Sequence, residues 1–293
     1  MMLAAVDAAT PTEADQALAR VAVAALRDEL EAYPKPGLVS PIDSGAHADM
    51  DFDLMCRSAE SLRAPFAEIA AAGRLAAPFE RGLASLGRTA ERRMLQATGG
   101  INTHRGAIFS MGLMVAAIAR AWADAPTPEP AAVQAALLRE WGEALEVHAV
   151  RGDEAASHGA QVRRATGIGG ARSEAARGFP GIFRTGLPAY RDARARGLDG
   201  NAASVHTLFA LMEAIDDTTV LFRGGPEAGL FVRRSAAAFM AGGGCTSEGW
   251  FERAEALHRS FVARNLSPGG CADLLAATLL VQRCADGATG LSQ

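Results

Sequence analysis

The 293-residue sequence has few cysteines, no excess of positive charge and almost no alternating apolar–polar pattern. The cysteines show neither the spacing of a metal site nor the density of a disulfide framework, which predicts reduced thiols in a cytoplasmic protein. The formal net charge of −4 argues against a protein whose main work is to coat nucleic acid or an anionic membrane. The four cysteines are Cys56, Cys245, Cys271 and Cys284.

The sequence also lacks an uninterrupted apolar run long enough to cross a membrane. Its first residues, MMLAAVDAATPTEADQ, contain early acids and no basic segment followed by an apolar one, so no signal peptide is expected. Hydrophobic residues make up 49% and charged residues 21%, which is the composition of a globular protein. We therefore expect neither membrane nor nucleic acid among the partners.

Apolar residues recur at helical spacing along most of the chain. In the first predicted helix, which begins at Thr12, Leu18, Val21 and Leu26 share one face. This periodicity predicts an all-α protein. A single domain over 1–293 is predicted because the Pro-rich segment 123–130 is too short to join independently moving domains. Further helices are predicted at 51–72, 78–96, 104–122, 129–149, 154–165, 181–196, 201–216, 226–241, 247–264 and 270–285. Predicted N-caps are Asp153, Asn201 and Thr246, and predicted C-terminal stops are Gly167, Gly197 and Gly242.

Five loops between these helices combine glycine with polar or charged residues. In a helical protein one such loop is usually only a turn, but five of them can pool their polar ends in one pocket. The loops are KPGLVSPIDSGAHADM (35–50), ATGGINTHRG (97–106), TGIGGARSEAARGFP (166–180), DDTTVLFRGG (216–225) and NLSPGGCADLL (265–275).

Two of these loops suit a phosphate group. In the first, Gly99 and Gly100 let the backbone approach a ligand, Asn102 or Thr103 is a candidate cap, and Arg105 adds a permanent charge at a helix start. The second has Ser267 as candidate cap before Gly269 and Gly270, with Asp273 expected in the first turn. An ordinary interhelical turn, with an acid that only stabilises the helix, is the alternative for each.

Carboxylates in or near the loops are candidates for holding Mg²⁺, which prefers a few carboxylates together with waters and phosphates. Each is equally compatible with a solvated acid or a helix cap. Glu91 is the most informative because it lies near an apolar helical stripe, where an unpaired acid is costly. His47 and His104 lie in polar loops, whereas His148, His158, His206 and His258 fit ordinary helix positions. The candidate metal ligands are Asp49, Glu91, Glu174, Asp217 and Asp273.

The loops, in this order, resemble the triphosphoribosyl-dephospho-coenzyme A synthase family. The similarity runs from about residue 30 to 280, and its most specific segments are NTHRGAIF and SPGGCADLL. It implies an all-helical, Mg²⁺-dependent enzyme that transfers the triphosphoribosyl group of ATP to the 2′-hydroxyl of 3′-dephospho-coenzyme A and releases adenine. The product would pass to a transferase that modifies an acyl carrier protein. A homodimer is the expected assembly, although the residues do not determine it.

The resemblance implies roles for the candidate residues. The reaction builds oxocarbenium character at C1′ of the ribose and retains the triphosphate, so cations would clamp rather than cleave it. The expected clamps are Lys35, Arg105, Arg172 and Arg223, with Gly99, Gly100, Asn102, Thr103, Ser267, Gly269 and Gly270 lining the ATP site. Asp49, Asp217 and Asp273 are expected metal ligands or the base, Glu91 and Glu174 lie behind them, and His47 and His104 are candidates for proton transfer.

Two positions depart from the family pattern. Ser40 ends a PGLVS segment where the family usually has an acid, for which Asp43 is a possible substitute, and Thr219 stands where the family tends to have Asn. The segment SGAHADMDFDLMCRSAESL and the lack of a fused second domain favour the malonate decarboxylase branch over the citrate lyase branch. The alternatives are a metal-dependent nucleotide or ADP-ribosyl hydrolase, in which water replaces the acceptor hydroxyl, and a non-enzymatic carrier-protein-binding module with a nucleotide pocket.

Overall fold

The computed structural model describes residues 10–125, 127–151 and 158–287. Within these ranges the chain forms helices and contains no β-strand, which confirms the all-α prediction. The helices are α1 (Glu13–Glu31), α2 (Phe52–Ser61), α3 (Arg63–Arg74), α4 (Ala84–Ala97), α5 (Arg105–Asp124), α6 (Pro130–Arg151), α7 (His158–Thr166), α8 (Gly170–Ala176), α9 (Leu187–Ala195), α10 (Gly200–Ala214), α11 (Thr218–Ala241), α12 (Trp250–Ala263) and α13 (Gly269–Ala285). Short π-helical turns at Phe79–Leu83 and Gly181–Gly186 precede α4 and α9, and a 3₁₀ turn at Gly244–Thr246 follows α11.

The N-terminus of helix α1 is stabilised by the side chains of Thr12 and Asp15. Thr12 and Asp15 form a capping box, in which the Asp15 backbone N–H donates to Thr12 Oγ1 at 3.2 Å and the Thr12 N–H donates to Asp15 Oδ2 at 2.8 Å. Arg74 of α3 adds an ion pair to the same carboxylate at 3.0 Å. The start of α1 is thereby fixed against α3, and the buried face of α1 reaches inward as far as Glu29 and Leu30.

Helices α5 and α13 form the centre of the molecule. Both are buried on most sides, and α5 packs against α3, α6 and α13. Helices α3 and α5 cross so closely that a Cβ atom on Gly73 would overlap the backbone of Ala116. By length and composition α5 alone among the described helices would be able to span a membrane, but 72% of its apolar window is buried inside the fold, as in the core helix of a soluble protein. All four cysteines are free thiols.

Several predicted boundaries differ from the structure. The predicted helix at 51–72 is divided at Leu62 into α2 and α3. Residues 170–176, predicted as loop, form α8, and residues 218–224, also predicted as loop, form the first part of α11. That helix is kinked at Gly225, which has a φ of 68° and precedes a proline that cannot donate a backbone hydrogen bond. These glycine-rich stretches, predicted as loops, thus lie at helix starts and at a helix kink.

The predicted helix stops are confirmed, but the predicted N-caps are not. Gly167, Gly197 and Gly242 each follow a helix end. Asp199, rather than Asn201, caps α10, because its Oδ1 accepts from the Ala202 N–H at 2.7 Å. Asn201 instead exchanges two hydrogen bonds of 2.8 Å with the Tyr33 backbone. Gly249 and not Thr246 precedes α12, and Asp153 lies outside the described residues.

Candidate active site

A cavity of about 780 Å³ lies between α1, α4, α5, α11 and α13. Each of the five glycine-rich loops contributes residues to its wall, which confirms that their polar ends converge. Most of the predicted site residues line this cavity. They are His47, Asp49, Glu91, Asn102, Thr103, His104, Arg105, Arg172, Arg223, Ser267, Gly269 and Asp273.

One polar part of the cavity, here called the inner wall, consists of the buried Glu29 and His104 and the partly exposed Asp273, with Lys35 behind Glu29. Lys35 is fully buried, and its Nζ donates to Glu29 Oε1 at 2.6 Å and to the Glu29 backbone carbonyl. Burial lowers the pKa of the Lys35 ammonium, and the Glu29 carboxylate opposes that shift. The expectation that Lys35 clamps the triphosphate directly is therefore wrong, because its ammonium holds a cavity-lining carboxylate and does not itself line the cavity.

His104 has one satisfied and one unsatisfied ring nitrogen. Its Nδ1 shares a hydrogen bond of 2.7 Å with Ser58 Oγ, which in turn lies 2.6 Å from Thr103 Oγ1. Nε2 is buried and has no hydrogen-bond partner among the described residues. Burial, with a smaller contribution from Lys35, lowers the pKa of His104 to about 4, so the ring is neutral at neutral pH. A buried nitrogen without a partner points to a ligand that supplies one.

Asp273 lies on α13, beyond the first turn that begins at Gly269. The prediction that Asp273 lies in the first turn is therefore wrong, and the alternative of an acid that only stabilises the helix start loses its basis. A Cβ atom at residue 106 would overlap Asp273 Oδ2, so only glycine at Gly106 leaves room for the carboxyl. Burial raises the pKa of Asp273 well above its usual value, and the negative charges of Glu29 and Asp217 add to the shift.

The outer part of the cavity, here called the arginine rim, consists of Arg88, Arg105, Arg163 and Arg172, all of which line the cavity. Arg105 begins α5 and forms an ion pair with Glu91 of α4, and its side chain is 47% exposed. The rim therefore combines several guanidinium groups near solvent at one side of the cavity. Such an arrangement suits a polyphosphate, because one guanidinium group can donate two parallel hydrogen bonds to the oxygens of one phosphate.

A polar chain joins three of the loops beside the rim. His47 Nε2 lies 2.9 Å from Ser267 Oγ, and Arg223 Nη2 lies 3.2 Å from His47 Nδ1. Arg223 also donates to the Ala46 carbonyl at 2.9 Å. Burial and the nearby Arg223 lower the pKa of His47. Since Arg223 donates to Nδ1, the neutral ring carries its proton on Nε2 and donates it to Ser267.

The capping roles expected of three residues are not found. Asn102 and Thr103 do not cap α5, whose N-cap is His104 without a side-chain hydrogen bond. Ser267 does not cap α13, because Pro268 occupies that position and the Ser267 hydroxyl faces His47. The start of α5 thus has no side-chain cap, whereas the first turn of α13 is capped from another loop, because the Cys271 N–H donates to Asp217.

Two predicted metal ligands are structural instead. Asp217 caps α11 through Thr219 N–H at 2.8 Å and also accepts from the Cys271 N–H of α13 at 2.8 Å. Glu174 accepts from the Gly181 N–H at 2.8 Å and pairs with Arg177 at 2.9 Å. Neither lines the cavity, because backbone N–H groups hold their oxygens elsewhere. Burial raises the pKa of Asp217.

Three of the expected ligand-binding glycines also lie outside the cavity wall. Gly99 and Gly100 have φ of 64° and 92°, are exposed, and end α4 through a bond from the Gly100 N–H to the Leu95 carbonyl. Gly270 packs against Asp217, which a side chain at that position would crowd. Their requirement for glycine is therefore explained by the backbone and by packing.

The described residues contain no group of three or more His, Cys, Asp or Glu side chains arranged to hold a metal ion. Among the predicted ligands that line the cavity, Glu91 is paired with Arg105, whereas the Asp49 side chain is 63% exposed and lies 3.8 Å from His47 Nδ1. Mg²⁺ typically takes one or two carboxylates and obtains its other ligands from phosphates and water.

The two positions that depart from the family pattern, Ser40 and Thr219, have different surroundings in the structure. Ser40 is buried and accepts from the Ile42 N–H at 3.2 Å. Asp43 does not replace a missing acid in the cavity, because its carboxylate accepts from the Gly45 N–H at 2.8 Å and lies 3.1 Å from His258 Nε2. Thr219, by contrast, lines the cavity.

Sequence reasoning missed Glu29, Gly106, Arg88 and Arg163. Glu29 was detectable, because it falls in the same helical register as the buried Ala22 and Leu26, where an acid is as costly as at Glu91. The two arginines lie in plain helical sequence and have no local signal.

Comparisons with known proteins agree with the loop pattern. A family model described as ATP:dephospho-CoA triphosphoribosyl transferase matches residues 15–290. A probable 2-(5''-triphosphoribosyl)-3'-dephosphocoenzyme-A synthase from Azotobacter vinelandii is 43% identical over 269 residues, which is 90% of each chain. Proteins of the same description from Pseudomonas paraeruginosa and Pseudomonas putida are 43% and 40% identical, covering 94% of this chain and 94% and 98% of theirs. No solved structure matches.

Proposed function

Because the chain belongs to the ATP:dephospho-CoA triphosphoribosyl transferase family, we propose that the cavity between α1, α5 and α13 is where its reaction takes place. The activity is that of a triphosphoribosyl-dephospho-CoA synthase, with ATP and dephospho-CoA as substrates. The protein is thus a transferase and not a carrier-protein-binding module. The observation that supports the location is the convergence of all five glycine-rich loops on this cavity.

We assign the triphosphate to the arginine rim and to Arg223 beside it. Arg105, Arg172 and Arg223 line the cavity and are the cationic groups that would neutralise the phosphates, with Arg88 and Arg163 beside them. The uncapped start of α5 adds backbone N–H groups, which attract anions. Asp49 would hold a Mg²⁺ ion that accompanies the triphosphate, and the bound ion would reduce the repulsion between phosphates. The chain from Arg223 through His47 to Ser267 would orient the Ser267 hydroxyl toward substrate.

The proposed pathway is the assembly of malonate decarboxylase. The segment from Ser44 to Leu62 resembles that branch of the family more than the citrate lyase branch. The product would be the precursor of the prosthetic group on the acyl carrier subunit and would pass to a transferase that modifies that subunit. We further propose a cytoplasmic homodimer as the working form.

The reaction is tested by mixing the protein with ATP, Mg²⁺ and dephospho-CoA and analysing the products by mass spectrometry. Adenine should appear in step with an adduct that carries the whole triphosphoribosyl group. Release of phosphate or pyrophosphate without adenine would contradict the proposal. Adenine release that does not depend on dephospho-CoA would instead identify the hydrolase alternative.

The pathway is tested in the source organism. Deletion of the gene should abolish malonate decarboxylase activity and leave any citrate lyase activity intact, and added triphosphoribosyl-dephospho-CoA should restore the lost activity in an extract. Loss of citrate lyase activity alone would assign the protein to the other branch.

A further inference from the structure

A series of hydrogen bonds joins two residues of the cavity wall through a third residue behind the wall. Thr103 Oγ1 lies 2.6 Å from Ser58 Oγ, which in turn lies 2.7 Å from His104 Nδ1. Thr103 and His104 line the cavity, whereas Ser58 of α2 is fully buried and does not. These three side chains are here called the hydroxyl relay, and both of its end residues belong to the cavity wall.

The His104 end of the relay lacks a partner. Nε2 is the only buried side-chain nitrogen or oxygen without a hydrogen bond among the described residues, and His104 is 3% exposed. A buried polar atom of this kind is costly unless a ligand completes it. Because His104 lines the cavity in which we place the reaction, we expect the missing partner to be a polar group of a substrate.

Every member of the relay can both donate and accept a hydrogen bond. A hydroxyl does so by rotating, and a neutral imidazole carries its proton on either nitrogen. In one orientation His104 Nδ1 donates to Ser58, Ser58 donates to Thr103, and Nε2 accepts from a ligand. In the other orientation the same bonds are reversed and Nε2 donates. Neither orientation contains a charge, and burial, which lowers the pKa of His104 to about 4, favours the neutral ring.

We propose that the hydroxyl relay accepts the proton of the attacking 2′-hydroxyl of dephospho-CoA at His104 Nε2 and releases a proton to the leaving adenine from Thr103 Oγ1. The inference rests on the proposed location of the reaction in this cavity. The reaction needs both transfers, because the hydroxyl oxygen must lose a proton and the departing base must gain one. A hydroxyl also suits Nε2, since it supplies a hydrogen bond without placing a charge beside a buried atom.

The step balances without a charged intermediate on the protein. The bond from C1′ of the ATP ribose to N9 breaks, its electron pair leaves with adenine, and the 2′-hydroxyl oxygen bonds to C1′. The hydroxyl proton moves to His104 Nε2, the Nδ1 proton moves to Ser58, the Ser58 proton moves to Thr103, and the Thr103 proton moves to adenine. After the products leave, exchange of protons with water at Nε2 and at Thr103 restores the first orientation.

The first test removes the hydroxyl at one end of the relay and keeps its shape. Thr103→Val should bind ATP and dephospho-CoA within about threefold of the wild type, while the single-turnover rate of adenine release at saturating substrates and Mg²⁺ falls ~10²-fold or more. Thr103→Ser restores the hydroxyl and should recover the rate to within about fivefold of the wild type. A near-normal rate for Thr103→Val would overturn the relay. A loss of affinity with a normal rate at saturation would also overturn it, because Thr103 would then only bind substrate.

The second test separates proton transfer from a merely structural role. Single-turnover rates of the wild type in mixtures of H₂O and D₂O should follow a curve against the deuterium fraction, because several protons move in one step. Ser58 acts only through His104 and Thr103 and is thus a positioning residue. Ser58→Ala interrupts the relay, so the rate should fall ~10²-fold and the dependence should become linear. Circular dichroism and a melting curve check the fold, and Thr103→Val, measured in the same way, decides the question if Ser58→Ala does not fold.

The matched control is Ser61→Ala, which removes a neighbouring hydroxyl on α2 that donates to the Ser58 backbone carbonyl at 2.6 Å and lies outside the relay. It should keep both the wild-type rate and the curved dependence. A linear dependence in the wild type would overturn the relay. If the wild type releases no adenine and forms no adduct, the proposed function fails instead, so the two failures are distinguishable.

Discussion

The inner wall and the arginine rim belong to one cavity but follow opposite physical rules. The inner wall consists of a few short polar groups, of which Glu29 and His104 are buried; they include an imidazole nitrogen without a partner among the described residues and a carboxyl with a raised pKa. The rim consists of long guanidinium groups near solvent, where water and salt screen each charge. At the inner wall the Lys35 ion pair offsets the burial of Glu29, whereas the buried His104 Nε2 has no partner in the described part of the chain. The inner wall therefore suits chemistry, and the rim suits affinity for a polyphosphate.

The largest effect is expected from breaking the buried pair behind the inner wall. Lys35→Met leaves the Glu29 carboxylate buried without its partner, which typically costs about 3–5 kcal/mol in the free energy of unfolding. Denaturant unfolding should show the loss at both low and high salt, because a buried pair is poorly screened.

The double variant Glu29→Gln/Lys35→Met is the control for that prediction. It removes both charges and should recover most of the lost stability, because no unpaired charge remains. A Lys35→Met variant as stable as the wild type would show that water reaches this pair and that the inner wall is not the dry region described here.

The second effect is a pH dependence of stability that arises at the inner wall. The pKa of His104 is lowered to about 4 in the fold, so between pH 6.5 and 4 the unfolded chain takes up a proton that the folded chain does not. Above pH 6.5, His104 is neutral in both states and does not lower the free energy of unfolding. As pH decreases from 6.5 to 4, protonation of the unfolded chain lowers that free energy by roughly 3 kcal/mol in total.

The measurement for His104 is the free energy of unfolding against pH for the wild type and for His104→Gln. Other histidines with lowered pKa, such as His47 and His206, contribute with the same sign and cancel in the difference between the two proteins. A difference curve that is flat between pH 4 and 6.5 would mean that His104 is solvated in solution.

The difference between rim and inner wall also explains what could be predicted from the sequence. Helical periodicity identified the all-α fold, and the glycine-rich loops marked Arg105, Arg172 and His104 because these lie beside them. Glu29 had a local signal, an acid in the buried register of α1, but its place at the cavity comes from the packing of α1 against α13, which no local pattern records.

The lack of a local signal for tertiary packing also explains why the predictions for Asp217 and Asp273 were partly wrong. Asp217 and Asp273 both lie in polar loop motifs, and nothing in the sequence shows that Cys271 N–H occupies the first carboxylate while Gly106 makes room for the second. A motif therefore located the site, but it could not separate the groups that hold the loops together from the groups that face the substrate.

A smaller effect is expected at the rim. Arg105→Ala would remove the charge-assisted contact that we propose between this half-exposed side chain and the triphosphate, so ATP affinity should fall about 10- to 100-fold. Calorimetry at low and high salt should show the difference shrinking as salt rises, in contrast to the pair at the inner wall. Arg196→Ala, which removes an exposed ion pair with Asp192, is the control and should leave ATP affinity unchanged. An affinity loss that salt does not reduce would place Arg105 in a buried contact.

The smallest effect is expected at the glycines beside the rim. Gly99 is exposed with a φ of 64°, and an added Cβ atom would meet nothing within 4 Å, so Gly99→Ala should cost only the backbone strain of about 1 kcal/mol. ATP affinity and turnover should stay at wild-type values, because the glycine ends α4 and does not contact ligand. Gly106→Ala is the contrasting variant, since its Cβ atom would displace the Asp273 carboxyl and should reduce turnover. If Gly99→Ala instead weakens ATP binding as much as Arg105→Ala does, the turn itself contacts the triphosphate. Gly99 would then belong to the ligand-binding residues and would not serve only to end α4.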